Sequence, residues 1–332
     1  MKKLKILITL NNSLISGIEN YVLQIIKNSD KNKFEFTVAV PCKGQIVDVL
    51  KKYGINYYIF NDNCKKPHNL KGIKNLIKII AKYNFDVIHA QAGILPCILG
   101  LIFGVKLRLE HKHGLDFTEE KRENLGVLRI IYESIKKYFV NYTITVCERD
   151  KLFLVNKFGY NPKKVITAYN GVDDLSCIKN NIKKGVTIGT VCRLTYQKAP
   201  EYFVEIARLI ENVGVLNDTR YEIWGTGELQ ETLEKLIMEY GLVNKVFLMG
   251  YMNDKSVTMG NFDVFVLTSR YEGIPYVILE AMSAKIPIVT TDVGGTSEVI
   301  INRHNGILVP RDEVKMMADS VIELIENPHF GN

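Results

Sequence analysis

The chain has 332 residues, 47% of them hydrophobic and 24% charged, and a formal net charge of +7. That length and balance supply apolar side chains for about two compact domains and exclude disordered and repetitive classes. The charge is uneven: residues 1–175 hold 28 Lys and Arg against 16 Asp and Glu, whereas the remainder holds 15 against 20.

The first apolar run, 4–10, follows Lys2 and Lys3 but is too short for a secretory leader. Asn11 and Asn12 end it without a small-residue cleavage site, so it reads as a buried first strand. Residues 18–28 have the helical period, 34–40 read as a strand, 46–53 as a helix and 55–60 as a strand. Residues 70–83 read as a helix, with apolar side chains at 70, 73, 76, 77 and 80, and 87–90 as a strand. The uncharged stretch 90–105 is shorter than the roughly 20 residues a spanning helix needs. It also contains Pro96 and several glycines, so no transmembrane segment is expected.

The stretch 175–185 reads as a linker, after which the pattern restarts. Strands are expected at 187–192, 221–224, 246–249, 264–267, 288–290 and 306–309. Helices are expected at 200–212, 228–240, 275–284 and 312–326. Alternation of this kind predicts an α/β fold of two doubly wound domains, residues 1–174 and 186–332. Such sheets bind ligands beyond the carboxyl ends of their strands, and two of them facing across a cleft would hold two substrates. The six cysteines, at 42, 64, 97, 147, 177 and 192, form no C-x-x-C pair and no metal-ligand rhythm with histidine. They are expected as reduced, mostly buried thiols of a cytoplasmic protein.

The segment from Ser269 to Met282 carries the most chemistry. A strand ends near Ser269, Gly273 permits a tight backbone, and Pro275 suits a first helical turn. Backbone N–H groups from about 273 to 277 would then face an anion, aided by the helix dipole, and a diphosphate fits. Glu272 and Glu280 could accept hydrogen bonds from hydroxyls of two different sugars. Alternatively, Glu272 is a first-turn dipole partner and Glu280 a surface residue. Yet Glu280 lies in the apolar run 276–282, where a carboxylate is costly unless satisfied.

The segment resembles the E-x7-E region of retaining glycosyltransferases of the GT-B fold, family 4 ("glycosyl transferases group 1"). The resemblance covers nearly the whole chain. Residues 191–199 (VCRLTYQKA) are similar to the family's GRL…KG block, and 224–228 (WGTGE) to its G-x-G-P turn. Residues 247–251 (FLMGY) are similar to its F-x-G segment, and 169–173 (YNGVD) to its P-N-G-V-D block. Ala281-Met282 through Gly294-Gly295 and Glu298 are similar to its EAM…GG…E tail.

The resemblance implies a nucleotide-sugar donor whose diphosphate is held by Arg193 and Lys198; read from the residues alone, these could equally be a solvated strand-end pair. It implies that Glu272 holds hydroxyls of the transferred sugar and Glu280 those of the ribose, with the amides around Gly273, Ile274 and Pro275 facing phosphate. Gly225, Gly250 and Tyr251 join the donor site, with the base near 246–251. In the first domain, 16–19 (SGIE) is similar to the family's G-G-x-E loop, which puts Gly17 near the donor phosphate with Ser16 in place of a glycine. Residues 109–114 (LEHKHG) match the strand end where the family sets a histidine against the donor sugar. His113 is the better match and His111 the alternative; a further family histidine, one strand earlier, is Gln91 here. Cys192 and Ala199 stand where the family has glycine.

The catalytic set expected from the resemblance is Glu272, His113, Arg193 and Lys198. Two fixed cations would stabilise the departing diphosphate, so neither metal nor other cofactor is expected. The acceptor expected is a growing saccharide, lipid-pyrophosphate-linked, in bacterial capsule, exopolysaccharide or O-antigen synthesis, and the donor a UDP-sugar carrying a hexose or N-acetylhexosamine. The basic amphipathic stretch 121–139 could lie on an anionic membrane at the cytoplasmic face, or be a packed helix with a basic outer face. No nucleic-acid partner is expected. The rival functions are a nucleotide-sugar epimerase on the same scaffold and a non-catalytic nucleotide- or glycan-binding module.

Overall fold

The computed structural model describes residues 2–63, 69–91, 93–115, 125–175, 185–216, 218–251 and 255–327. The chain passes from one compact unit to a second between Tyr169 and Asn170. The expected linker falls largely outside the described residues.

The first unit contains strands β1 (Leu4–Thr9), β2 (Phe34–Val40), β3 (Asn56–Ile59), β4 (Val87–Ala90), β5 (Leu107–Lys112), β6 (Tyr142–Thr145) and β7 (Val165–Thr167). They form one sheet in the order β3-β2-β1-β4-β5-β6-β7. Every pairing is parallel, with Ile8 opposite Val38 on one side and His89 on the other. Helices α1 (Gly17–Asn28), α2 (Gln45–Lys52), α3 (Leu70–Tyr83), α4 (Leu95–Ile102), α5 (Val127–Lys136) and α6 (Glu148–Phe158) connect them. β1 is apolar along its carboxyl half because both of its faces are covered. Leu7 belongs to one core cluster with Ala39, Leu76, Ile80 and Ile88, and Ile8 to another with Val22, Val38, Ile46 and Leu50. Beyond the strand end at 109–114 and the amphipathic stretch 121–139, the pattern between Leu95 and Thr167 is weak, because Tyr142–Thr145 and Val165–Thr167 are strands of only four and three residues.

The second unit contains β8 (Val186–Val191), β9 (Thr219–Trp224), β10 (Val246–Gly250), β11 (Val264–Leu267), β12 (Ile288–Thr291) and β13 (Ile307–Val309). Its helices are α7 (Pro200–Val213), α8 (Gln230–Glu239), α9 (Lys255–Gly260), α10 (Tyr276–Ser283), α11 (Thr296–Val299) and α12 (Val314–Glu326). The sheet order is β10-β9-β8-β11-β12-β13, again parallel throughout. Along β11, Val264 and Val266 enter one core cluster while Phe265 and Leu267 enter the other. Two doubly wound α/β sheets are therefore present, as the alternating pattern predicts.

Two expectations need correction. Cys42 is disulfide-bonded, while Cys97, Cys147 and Cys192 are buried thiols outside any disulfide. Spacing along a chain does not report proximity in the fold, so the expectation of reduced thiols fails at Cys42. Within 121–139, the described residues, from 125 onward, do not form a helix with a basic outer face. In α5, Glu133 and Lys136 are buried, whereas Val127, Leu128, Ile131 and Ile135 are exposed. The cause lies beneath the helix. Glu110 and Lys112 on β5 are themselves buried, or nearly so, and need charged partners. Lys136 Nζ lies 2.7 Å from Glu110 Oε1, and Lys112 Nζ 3.3 Å from Glu133 Oε2. Burial alone would raise the Glu110 carboxyl, but Lys112 and Lys136 outweigh it and hold it below its ordinary value. The helix turns its charged side inward to complete this network.

Candidate active site

In the second sheet the strand order reverses between β8 and β11, and α/β sheets bind ligands beyond the carboxyl ends of their strands at such a reversal. The loops that leave β8 and β11 are laced together. Thr268 Oγ1 donates to the carbonyls of Lys198 (3.0 Å) and Ala199 (2.8 Å). Gln197 Nε2 donates to Tyr271 O (3.0 Å), and Arg270 N to Gln197 O (2.8 Å). Arg270 also reaches Tyr196 O and Glu201, each at 2.6 Å, with its guanidinium against the rings of Tyr196 and Tyr202.

This lacing brings the Lys198 ammonium onto Glu272 Oε1. Glu272 is 6% exposed, so its carboxylate depends on that partner. Behind it, Gly295 N donates to Gly273 O at 2.8 Å. Gly294 has φ +57°, and a Cβ there would lie 1.9 Å from Glu272 O, so only glycine lets the two loops approach. Ile274 is buried, and its carbonyl accepts from Asn170 Nδ2 at 2.9 Å. Pro275 is the residue before α10 rather than in its first turn, with φ −71° and ψ 129°. Glu280 is 4% exposed, so its surface reading falls.

Arg193 is exposed and tethered by Nη2 to Gln197 Oε1 at 3.2 Å. Gly225 has φ +139°, and a Cβ would sit 1.8 Å from Cys192 O; its N–H donates to Gly250 O at 2.7 Å. Gly250 ends β10 with φ +73°, and Tyr251 beyond it is exposed. Burial pushes the Cys192 thiol up to about 11, so it remains neutral. The structure thus gathers Lys198, Glu272, Gly273, Ile274 and Pro275, with Arg193 at the rim and Gly225 and Gly250 at neighbouring strand ends. Sequence reasoning passed over Gln197 and Arg270, which knit the loops, although both lie in segments it singled out.

In the first sheet the corresponding reversal lies between β1 and β4. After β1 the chain turns into α1 at Gly17. Ser16 is extended (φ −134°), so no glycine is required at that position. Its N–H and hydroxyl both donate to Glu19 Oε2, at 3.0 and 2.5 Å, and Glu19 is buried. After β4 comes Gln91, whose Oε1 lies 2.8 Å from His113 Nε2. The His113 ring stacks on His111 with centroids 4.2 Å apart, and Tyr21 meets both rings edge-on. His89 Nε2 lies 3.3 Å from His111 Nδ1. Burial lowers His89 to about 4; burial and then His89 lower His113 to about 3. His111 is lowered further by burial and by both neighbours. All three imidazoles are therefore uncharged near neutral pH.

Among the described residues, no group of three or more His, Cys, Asp or Glu side chains is placed to hold a metal ion. None of the described helices is long and apolar enough to cross a membrane.

The chain matches two family models in succession. Residues 15–174 match "Glycosyltransferase Family 4" and residues 174–331 match "Glycosyl transferases group 1". It is 26% identical over 336 residues to the Escherichia coli UDP-Gal:alpha-D-GlcNAc-diphosphoundecaprenol alpha-1,3-galactosyltransferase, covering 95% of this chain and 86% of that one. It is 28% identical over 226 residues to the Staphylococcus aureus poly(ribitol-phosphate) alpha-N-acetylglucosaminyltransferase, covering 68% of this chain but 44% of that one. The crystal structure of Anabaena HepE in complex with UDP and glucose superposes with a TM-score of 0.84 at 18% identity, covering 98% of this chain and 91% of that one. With both halves matched in order and two doubly wound sheets to carry them, this chain belongs to the GT-B glycosyltransferases, family 4 in its first half and group 1 in its second.

Proposed function

We propose that this enzyme transfers a hexose or N-acetylhexosamine from a UDP-sugar, with retention of configuration, to a lipid-pyrophosphate-linked saccharide. The setting in this reading is capsule, exopolysaccharide or O-antigen assembly at the cytoplasmic face of a membrane. The observation that carries it is the Lys198 ammonium set against the buried Glu272 carboxylate beyond the carboxyl ends of β8 and β11. A nucleotide-sugar offers a diphosphate to the one and, next to it, sugar hydroxyls to the other.

In this reading Arg193 and Lys198 hold the diphosphate, Glu272 the hydroxyls of the moving sugar and Glu280 the ribose. The amides around Gly273 and Ile274 meet phosphate oxygens, and Gly225, Gly250 and Tyr251 flank the nucleoside. The family pattern assigns Gly17 to the phosphate and His113 to the donor sugar. The bond from the anomeric carbon to the phosphate oxygen breaks as an acceptor hydroxyl forms its bond on the same face. The departing phosphate oxygen takes the hydroxyl proton. The protein contributes positioning and positive charge. Arg193 and Lys198 supply that charge, so no metal or other cofactor enters the reading.

The E. coli relative supports it by its name, which couples a UDP-Gal donor, an alpha linkage and a diphosphoundecaprenol acceptor. The exposed apolar face of α5 supports a lipid surface. The test is a thermal-shift screen of UDP- and GDP-sugars, followed by transfer to a polyprenyl-diphosphate-linked sugar and NMR of the product anomer. Stabilisation by UDP-sugars and an axial product linkage are expected. A beta product from an alpha donor would refute retention, and stabilisation by GDP-sugars alone would refute the nucleotide. Free epimer formed without acceptor would replace transfer with epimerisation.

A further inference from the structure

We infer that Gln91 sets the tautomer of His113, so that the imidazole meets the substrate with an unprotonated Nδ1. This rests on the reading of His113 as the residue facing the donor sugar. Gln91 follows β4 directly, and its backbone N–H donates to Thr9 O at 3.1 Å. Its side chain is 1% exposed, so its position is fixed by packing. Its Oε1 lies 2.8 Å from His113 Nε2. With Oε1 turned to the ring, the amide can only accept, which puts the ring proton on Nε2 and the lone pair on Nδ1. Among the described residues the buried amide nitrogen of Gln91 has no hydrogen-bond partner, and His113 is the side-chain contact its amide makes.

The ring is clamped as well as oriented. His111 stacks on one side of it, with planes 12° apart, and Tyr21 closes on it edge-first at 5.0 Å. Burial beside other imidazoles denies it the cationic form. A neutral, clamped ring with its proton committed to Gln91 is a hydrogen-bond acceptor. It takes a bond from a sugar hydroxyl and does not act as a proton donor. Gln91 is therefore a positioning residue, acting through His113.

Long-range proton–nitrogen NMR of the imidazoles near neutral pH tests this on the intact chain. His113 is expected as the Nε2–H tautomer. Gln91→Met, which keeps the volume and removes the oxygen, is expected to shift His113 towards Nδ1–H and to lower kcat by about tenfold or more with a smaller change in KM. Gln91→Glu restores an accepting oxygen and is expected to restore the Nε2–H signature. An Nδ1–H tautomer in the wild type, or an unchanged tautomer in Gln91→Met, would overturn the inference. A changed tautomer with unchanged turnover would instead overturn the role of His113 in transfer and leave the grip of Gln91 standing.

Discussion

The Lys198 ammonium and the Glu272 carboxylate form an ion pair whose side chains are 14% and 6% exposed. Each partner therefore supports the other before any ligand arrives. Removing one strands a buried charge, which costs roughly 3–5 kcal/mol. Lys198→Ala and Glu272→Ala should each lower the thermal midpoint of the ligand-free protein. Each should also reduce kcat by about 10²-fold or more, the usual loss for a group stabilising developing charge. The double variant should destabilise by clearly less than the sum of the singles, because the second substitution removes the charge that the first stranded. Additive losses of stability would show that the pair is not coupled.

Ala199 sits in the left-handed region, with φ 47° and ψ 51°, immediately before α7. An L-residue there carries a cost of roughly 1–2 kcal/mol that glycine avoids. Glycine gives back part of that gain through the greater freedom of its unfolded chain. Ala199→Gly should therefore stabilise by about 0.5–1 kcal/mol, raising the midpoint of chemical unfolding with the m-value unchanged. A lower midpoint would mean that the buried methyl group matters more than the backbone.

The stack of His89, His111 and His113 makes stability depend on pH. Each ring has a folded-state pKa below the unfolded value of about 6.5. Above that value both states are neutral, and the full stability is present. As pH falls through 6.5, the unfolded chain binds protons that the folded chain refuses, and stability drains away towards pH 4 and below. Denaturant titrations at stepped pH should show this decline, and His111→Leu should flatten it between pH 6.5 and 4. A wild-type profile that is level over that interval would contradict the neutral stack.

Much of the fold was legible because apolar runs such as 246–249 and 264–267 are short and uninterrupted. The Glu272–Glu280 segment was legible because a carboxylate inside an apolar run demands an explanation. Other features depend on contacts between residues far apart in the chain. The glycine at 294 is required by the carbonyl of Glu272, and no local pattern reports that approach. Gln91 looked like a lost histidine, whereas the fold uses it to hold one. α5 misled for a related reason: its amphipathic period was evident, but which side faces inward was decided by Glu110 and Lys112 on a neighbouring strand.

That reversed helix gives the remaining prediction. Val127, Leu128, Ile131 and Ile135 are 71%, 84%, 48% and 48% exposed. Burying such a side chain fully is worth roughly 1.5–3 kcal/mol, so even partial insertion of several into lipid would bind measurably. The ion pairs of Glu133 and Lys136 prevent the helix from turning its apolar side into the protein. The excess of Lys and Arg over Asp and Glu in residues 1–175 favours anionic lipid. Co-sedimentation with phosphatidylglycerol-containing vesicles should exceed that with phosphatidylcholine vesicles. Leu128→Glu with Ile131→Glu should reduce it by about tenfold or more, given the area lost. Turnover with a short, water-soluble acceptor should be unaffected, since neither residue belongs to the site. Vesicle binding indifferent to these substitutions, or to lipid charge, would assign the face to something other than a membrane.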